Sequence, residues 1–103
     1  VLVLKGARTV IASPDGTAFL NLSGNPAMAS AGMGDVLTGI IAGLLSQGYS
    51  PLESAVLGVY MHGKAGDLAY EELGGIGIIA GDLITRIPKV RRWLFDQIFG
   101  LEE

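Results

Sequence analysis

The chain has 103 residues, half of them apolar, with seven basic side chains against ten acidic ones and a formal net charge of −3. That length allows at most one small domain, and the basic residues are scattered except at Arg86, Lys89, Arg91 and Arg92, so there is no broad basic face for a nucleic acid. The absence of cysteine excludes disulfides and thiolate metal sites and is compatible with the cytoplasm, where the protein is expected.

Residues 1–4, Val-Leu-Val-Leu, form an unbroken apolar run that ends at Lys5-Gly6, the pattern of a strand buried on both faces of a parallel sheet. Lys5 then stands at the carboxyl end of that strand, where open α/β sheets place their ligands; it is either a solvated strand-end lysine or a cation that meets a phosphate. Residues 9–12 and 17–22 flank Ser13-Pro14-Asp15-Gly16, a turn signal that predicts a hairpin. Asn25-Pro26 marks another turn, in which Asn25 either shapes the chain or orients an anion.

A helix is predicted over residues 34–46, with Gly48 as its terminator. Its apolar run of about ten residues contains Thr38 and falls well short of the ~20 needed to span a bilayer, so Gly39 and Gly43 read as close packing in a core and no membrane partner is expected. Ser50-Pro51-Leu52-Glu53 has the form of a capping box with proline at the first helical position, opening a second helix to about residue 73. Along it, Ala55, Gly58, His62, Gly66 and Ala69 recur at helical spacing and make one side small enough for a close neighbour. His62, the lone histidine, reads as a hydrogen-bonded core residue. Asp67 and Asp82 read as capping or pairing groups.

After a Gly-Gly-Ile-Gly junction, Ala80-Gly81-Asp82 opens a third helical region, broken before Pro88 and resuming through Trp93 to Phe99, where Trp93, Phe95 and Phe99 suggest a packing edge. No cluster of His, Asp and Glu has metal-ligand spacing. There is no internal repeat.

The most informative stretch is residues 24–39, Gly-Asn-Pro-Ala-Met-Ala-Ser-Ala-Gly-Met-Gly-Asp-Val-Leu-Thr-Gly. Gly32 and Gly34 let the backbone turn without a Cβ in the way, so the amides of Gly32, Met33, Gly34 and Asp35 can converge at the helix start. Those donors have no partner within the helix, and the helix N-terminus carries about half a positive charge; a phosphate oxygen is the natural partner. Asp35 is then either an N-cap or a base acting on an incoming hydroxyl.

Residues 24–48, together with Lys5-Gly6-Ala7-Arg8-Thr9, resemble the C-terminal part of the NAD(P)H-hydrate dehydratases, a branch of the ribokinase-like superfamily. The resemblance covers residues 1–88, and Gly-Met-Gly-Asp-Val-Leu-Thr-Gly is its most discriminating block. Ala27 and Ala31 depart from it, standing where glycine is more usual. The resemblance implies a three-layer α/β fold of ribokinase-like type, with this chain as the C-terminal portion of a single domain. It implies ADP- or ATP-dependent dehydration of hydrated NADH or NADPH, with Asp35 as catalytic base and substrate contact. Lys5, Gly6, Ala7, Arg8, Thr9 and Gly34 would bind the adenine nucleotide, and Mg²⁺ would arrive with its phosphates.

Two alternatives stand beside this: a small-molecule kinase of the same superfamily, and a non-catalytic nucleotide-binding fragment. The strand at residues 1–4 and the two long helices are apolar on more than one side. The chain is therefore expected to be covered by a missing portion or by symmetric subunits, as a homo-oligomer, and to be inactive alone.

Overall fold

The computed structural model describes residues 1–5, 8–29 and 31–99, the last two as backbone only. Three strands, β1 (Leu2–Leu4), β2 (Thr9–Ala12) and β3 (Ala18–Asn21), form one antiparallel sheet in the order β1-β2-β3. A 3₁₀ turn (Pro26–Met28) leads to four helices: α1 (Met33–Ser46), α2 (Pro51–Leu73), α3 (Ala80–Ile84) and α4 (Ile87–Phe99).

The expected hairpin is present. Ser13 donates its amide to the Thr17 carbonyl at 2.8 Å, the Asp15 carboxylate accepts from the Thr17 amide at 2.9 Å, and Gly16 adopts a left-handed φ of 92°. The parallel, doubly buried β1 is not: it pairs antiparallel with β2, Val3 opposite Ile11. Four residues separate the two strands, far too few for the crossover a parallel neighbour needs. The alternation of side chains then decides burial. Val3, Ile11 and Phe19 share one face, on which Ile11 is buried against Leu37, Ala55 and Val59. Leu2, Leu4 and Leu20 share the other face and are each more than half exposed. The helices thus cover a single side of the sheet among the described residues.

Helix α1 closes with a Schellman pair: the Gly48 amide reaches the Leu45 carbonyl at 3.1 Å and the Tyr49 amide reaches Leu44 at 3.3 Å, with Gly48 left-handed at φ 98°. The capping box that opens α2 is complete, since Ser50 Oγ accepts from the Glu53 amide at 3.1 Å and Glu53 Oε1 accepts from the Ser50 amide at 2.9 Å. Pro88 sits in the first turn of α4, where its missing N–H costs nothing, so it opens this helix at Ile87 and does not interrupt one.

The small face of α2 is buried as expected, and it sets the contacts of the rest. A Cβ at Gly58 would lie 2.6 Å from Ile41 Cγ1 of α1, and one at Gly63 would lie 2.8 Å from the Ser23 carbonyl carbon. At Gly66 it would lie 2.6 Å from Met28 Cγ. Gly39 and Gly43 behave otherwise. Neither has a described neighbour within 4 Å of an added Cβ, so the close packing expected of them is absent among the described residues. The larger core joins Met33 and Leu44 of α1 with Met61, Ala65 and Ala69 of α2 and with Ile78, Leu83 and Val90. At the far end Arg86 donates to Glu72 at 2.9 Å, Lys89 lies 3.6 Å from the same carboxylate, and Arg91 donates to Gln47 at 3.1 Å. Three of the four clustered basic residues are thereby engaged within the chain. Trp93 and Phe95 remain substantially exposed, with the Lys64 ammonium 5.2 Å from the Trp93 ring centre.

Gly63→Ala forces a methyl against backbone that cannot yield like a flexible side chain. The expected cost is about 1–3 kcal/mol, the usual range for overpacking, read as a lower midpoint in denaturant at unchanged slope.

Candidate functional site

The anion turn is built where β1 and the start of α1 converge. Gly32 is the N-cap of α1 and takes φ 86°, ψ −8°, a left-handed conformation that glycine adopts without the Cβ clash of other residues. The left-handed backbone calls for glycine at Gly32; Gly34 has no positive φ, and an added Cβ there would stand 3.5 Å from Lys5 Nζ, an ordinary contact. The Gly32 carbonyl accepts the Val36 amide at 3.1 Å, which leaves the first-turn amides of Met33, Gly34 and Asp35 without acceptors inside the helix. Asp35 is the third residue of α1, so it is not the N-cap.

A cleft of about 690 Å³ opens beside this turn. Lys5, Arg8 and Thr9 line one side, Gly24, Asn25 and Met28 another, and Met33, Leu37 and His62 its floor. Both cations expected at the nucleotide site therefore face one space. Gly6 and Ala7 lie outside the described residues. Asp35 is exposed and is not among the cleft's lining side chains, although Met33 and Leu37 on either side of it are. Residues two apart on a helix point in different directions, and this explains the separation.

The loop that walls the cleft is held by α2. The Asp67 carboxylate accepts from the Gly24 amide at 3.1 Å and from Asn25 Nδ2 at 2.9 Å, while Asn25 Oδ1 accepts from the Ala27 amide at 3.1 Å. Asn25 is thus a turn-former, and Asp67 is the anchor that makes the turn rigid. Ser23 adds a second tie, donating to the Asn21 side chain at 2.9 Å and to the Tyr60 carbonyl at 3.2 Å. Asp82, the other unassigned acid, accepts from the Ile79 amide at 2.9 Å at the start of α3. The role of Asp67 was invisible in the sequence because its partners stand 42 and 43 positions away.

His62 is 7% exposed, and its Nε2 lies 3.0 Å from the Met33 carbonyl. A carbonyl only accepts, so Nε2 carries the proton and donates. Burial is the largest influence on this imidazole and lowers its pKa below 6.5; the nearby Lys5 ammonium lowers it further, against the bond to Met33, which favours the charged ring.

A profile of the NAD(P)H-hydrate dehydratase family matches residues 1–89. The chain belongs to that family. A bifunctional NAD(P)H-hydrate repair enzyme of Moorella thermoacetica is 56% identical over 98 residues, spanning 95% of this chain and 18% of the relative. An ADP-dependent (S)-NAD(P)H-hydrate dehydratase of Neisseria meningitidis is 46% identical over 97 residues, spanning 94% of this chain and 32% of the relative. The chain therefore spans a third or less of these relatives. Among solved structures, the ADP/ATP-dependent NAD(P)H-hydrate dehydratase of Bacillus subtilis, co-crystallised with ATP and Mg²⁺, superposes with a TM-score of 0.84. It is 41% identical, with 88% of this chain and 33% of that one covered. The fold described above is accordingly part of the ribokinase-like fold of the NAD(P)H-hydrate dehydratases.

Because His62 resists protonation in the folded state, the unfolded chain takes up a proton first as pH falls through 6.5. Stability is expected to decline as pH falls below 6.5. Denaturation of the complete polypeptide across that range, beside His62→Gln, checks this: the variant loses part of the slope.

Proposed function

We propose that this chain is the C-terminal portion of a single ribokinase-like domain, and that the domain dehydrates hydrated NADH or NADPH at the expense of ADP or ATP. The observation that carries the reading is the nearness of the Lys5 ammonium to Gly34 at the head of α1, beside a cleft that Lys5, Arg8, Thr9 and Met33 line. A helix N-terminus with free amides and two cations in one space is suited to a polyphosphate. Membership of the family selects the dehydratase over a sugar or vitamin kinase, for which the same geometry would serve.

In the proposed reaction the hydroxyl on the hydrated nicotinamide ring attacks the terminal phosphorus of the nucleotide. Asp35 takes the hydroxyl proton as the new P–O bond forms and the bond to the departing nucleotide breaks. Phosphate then leaves the ring with its oxygen, a proton departs from the neighbouring ring carbon, and the double bond of the dihydronicotinamide is restored. The amides of Met33 and Gly34 face charge that grows on the transferring oxygens, and each such donor is worth a few kcal/mol in a preorganised site. Asp35 stands two residues from the cleft-lining Met33, so the hydroxyl it serves approaches across the head of α1.

No group of three or more His, Cys, Asp or Glu side chains converges among the described residues. A divalent ion is thus expected to come with the nucleotide and to be held largely by its phosphates and water. The exposed sheet face of Leu2, Leu4 and Leu20 favours burial against further chain or a second subunit, consistent with a homo-oligomer. Among the described residues no helix is long and apolar enough to cross a membrane, and the cysteine-free composition suits the cytoplasm.

The complete polypeptide, given hydrated NADH with ADP or ATP, should regenerate the absorbance of the intact cofactor. Asp35→Asn should lower turnover by about 10² to 10⁴ with little change in nucleotide affinity; a rate within threefold of the parent refutes the base. Gly34→Val should instead weaken nucleotide binding, because its methyls fill the space beside Lys5. Titration calorimetry showing undiminished ADP affinity in the folded variant refutes the phosphate site.

A further inference from the structure

We infer that His62 is a positioning residue for phosphoryl transfer: by donating from Nε2 to the Met33 carbonyl, it fixes the first turn of α1 and with it the Gly34 amide and the Asp35 side chain. This rests on the function proposed above.

Three observations carry it. The first turn of α1 begins at Gly32, which has no side chain and so provides no capping hydrogen bond to the helix. Helix ends without such a tether fray, and Gly32 is itself the residue most free to rotate. His62 supplies a tether from a different element, at 3.0 Å, onto the residue immediately before Gly34. It is also mounted rigidly. It lies within the long helix α2, is 7% exposed, and is flanked by Met61 and Gly63, both buried.

The position of the bond is as telling as its strength. A hydrogen bond of this kind contributes modestly to stability, which any of the core contacts could match. Its effect on rate is larger, because a displacement of about 1 Å in a reacting group can cost 10²-fold. His62 is adjacent to the reaction without touching it: it lines the cleft beside Met33, while Asp35 stands two residues further along α1. The Met33 carbonyl holds the hydrogen on Nε2, and burial together with Lys5 disfavours a second cation beside the Lys5 ammonium.

The test uses the complete polypeptide with hydrated NADH and ADP or ATP, comparing the parent with His62→Leu, His62→Asn and His62→Gln. The Gln amide can reach Met33 from about the position of Nε2; the shorter Asn amide cannot, and Leu has no donor. The expected result is a kcat lowered about 10-fold to 100-fold in Leu and Asn, a nucleotide KM within threefold of the parent, and recovery of most of the rate in Gln. Should Leu fail to fold, as judged by circular dichroism, Asn against Gln decides. A kcat within threefold of the parent in folded Leu or Asn overturns the inference. So does a Gln variant no faster than Asn, or a loss confined to KM. An inactive parent refutes the dehydratase reading itself, and the positioning role with it.

Discussion

The glycine-bearing face of α2 is the surface against which the rest of the chain is set. Where Gly58, Gly63 and Gly66 remove side chains, Ile41, Ser23 and Met28 come within contact of backbone, and these three residues belong respectively to α1, the strand exit and the cleft loop. Close backbone approach replaces side-chain bulk as the source of dispersion contact and leaves little room for relative sliding. His62 and Asp67 lie on the same helix and convert that fixed spacing into directed hydrogen bonds, one to the head of α1 and one to the loop. A single helix therefore holds both walls of the cleft in register.

Local chemistry made much of this legible. The capping box at Ser50, the terminating Gly48 and the hairpin turn at Ser13 to Gly16 each depend on residues within a few positions of one another, and all three formed as their sequences dictate. The direction of β1 depends on partners elsewhere. Val-Leu-Val-Leu is compatible with a strand buried on two faces or with an apolar edge strand exposed on one, and the short connection to β2 settles the pairing in favour of the latter. Gly39 and Gly43 show the same limit from the other direction. A small-residue spacing records that close approach is possible; described neighbours stand against Gly58, Gly63 and Gly66 of α2 and not against Gly39 and Gly43 of α1.

The candidate site divides along the same line. Gly32, Gly34 and Asp35 could be singled out because they lie within four positions, and the convergence of Lys5, Arg8 and Thr9 on one cleft accords with the antiparallel pairing of β1 and β2. The assignment of requirements within the turn was less accessible: the left-handed conformation falls on Gly32 and not on Gly34, a distinction that only the φ angles make. His62 read as a hydrogen-bonded core residue and Asp67 as a capping or pairing group, and both are; their partners, Met33 and the Gly24-Asn25 turn, lie too far along the chain for the sequence to name.

The Asp67 anchor also orders events in folding. Helices α1 and α2 are bounded by contacts between near neighbours and can form early, whereas the cleft loop waits for a carboxylate 43 residues away from the amide it receives. The entropy of closing that long loop is recovered only once α2 is docked, through the packing of Gly63 and Gly66 as well as the two hydrogen bonds. The cleft is consequently among the last features to take shape and among the first lost when α2 lifts away, so the integrity of the anion site reports on the tertiary structure as a whole.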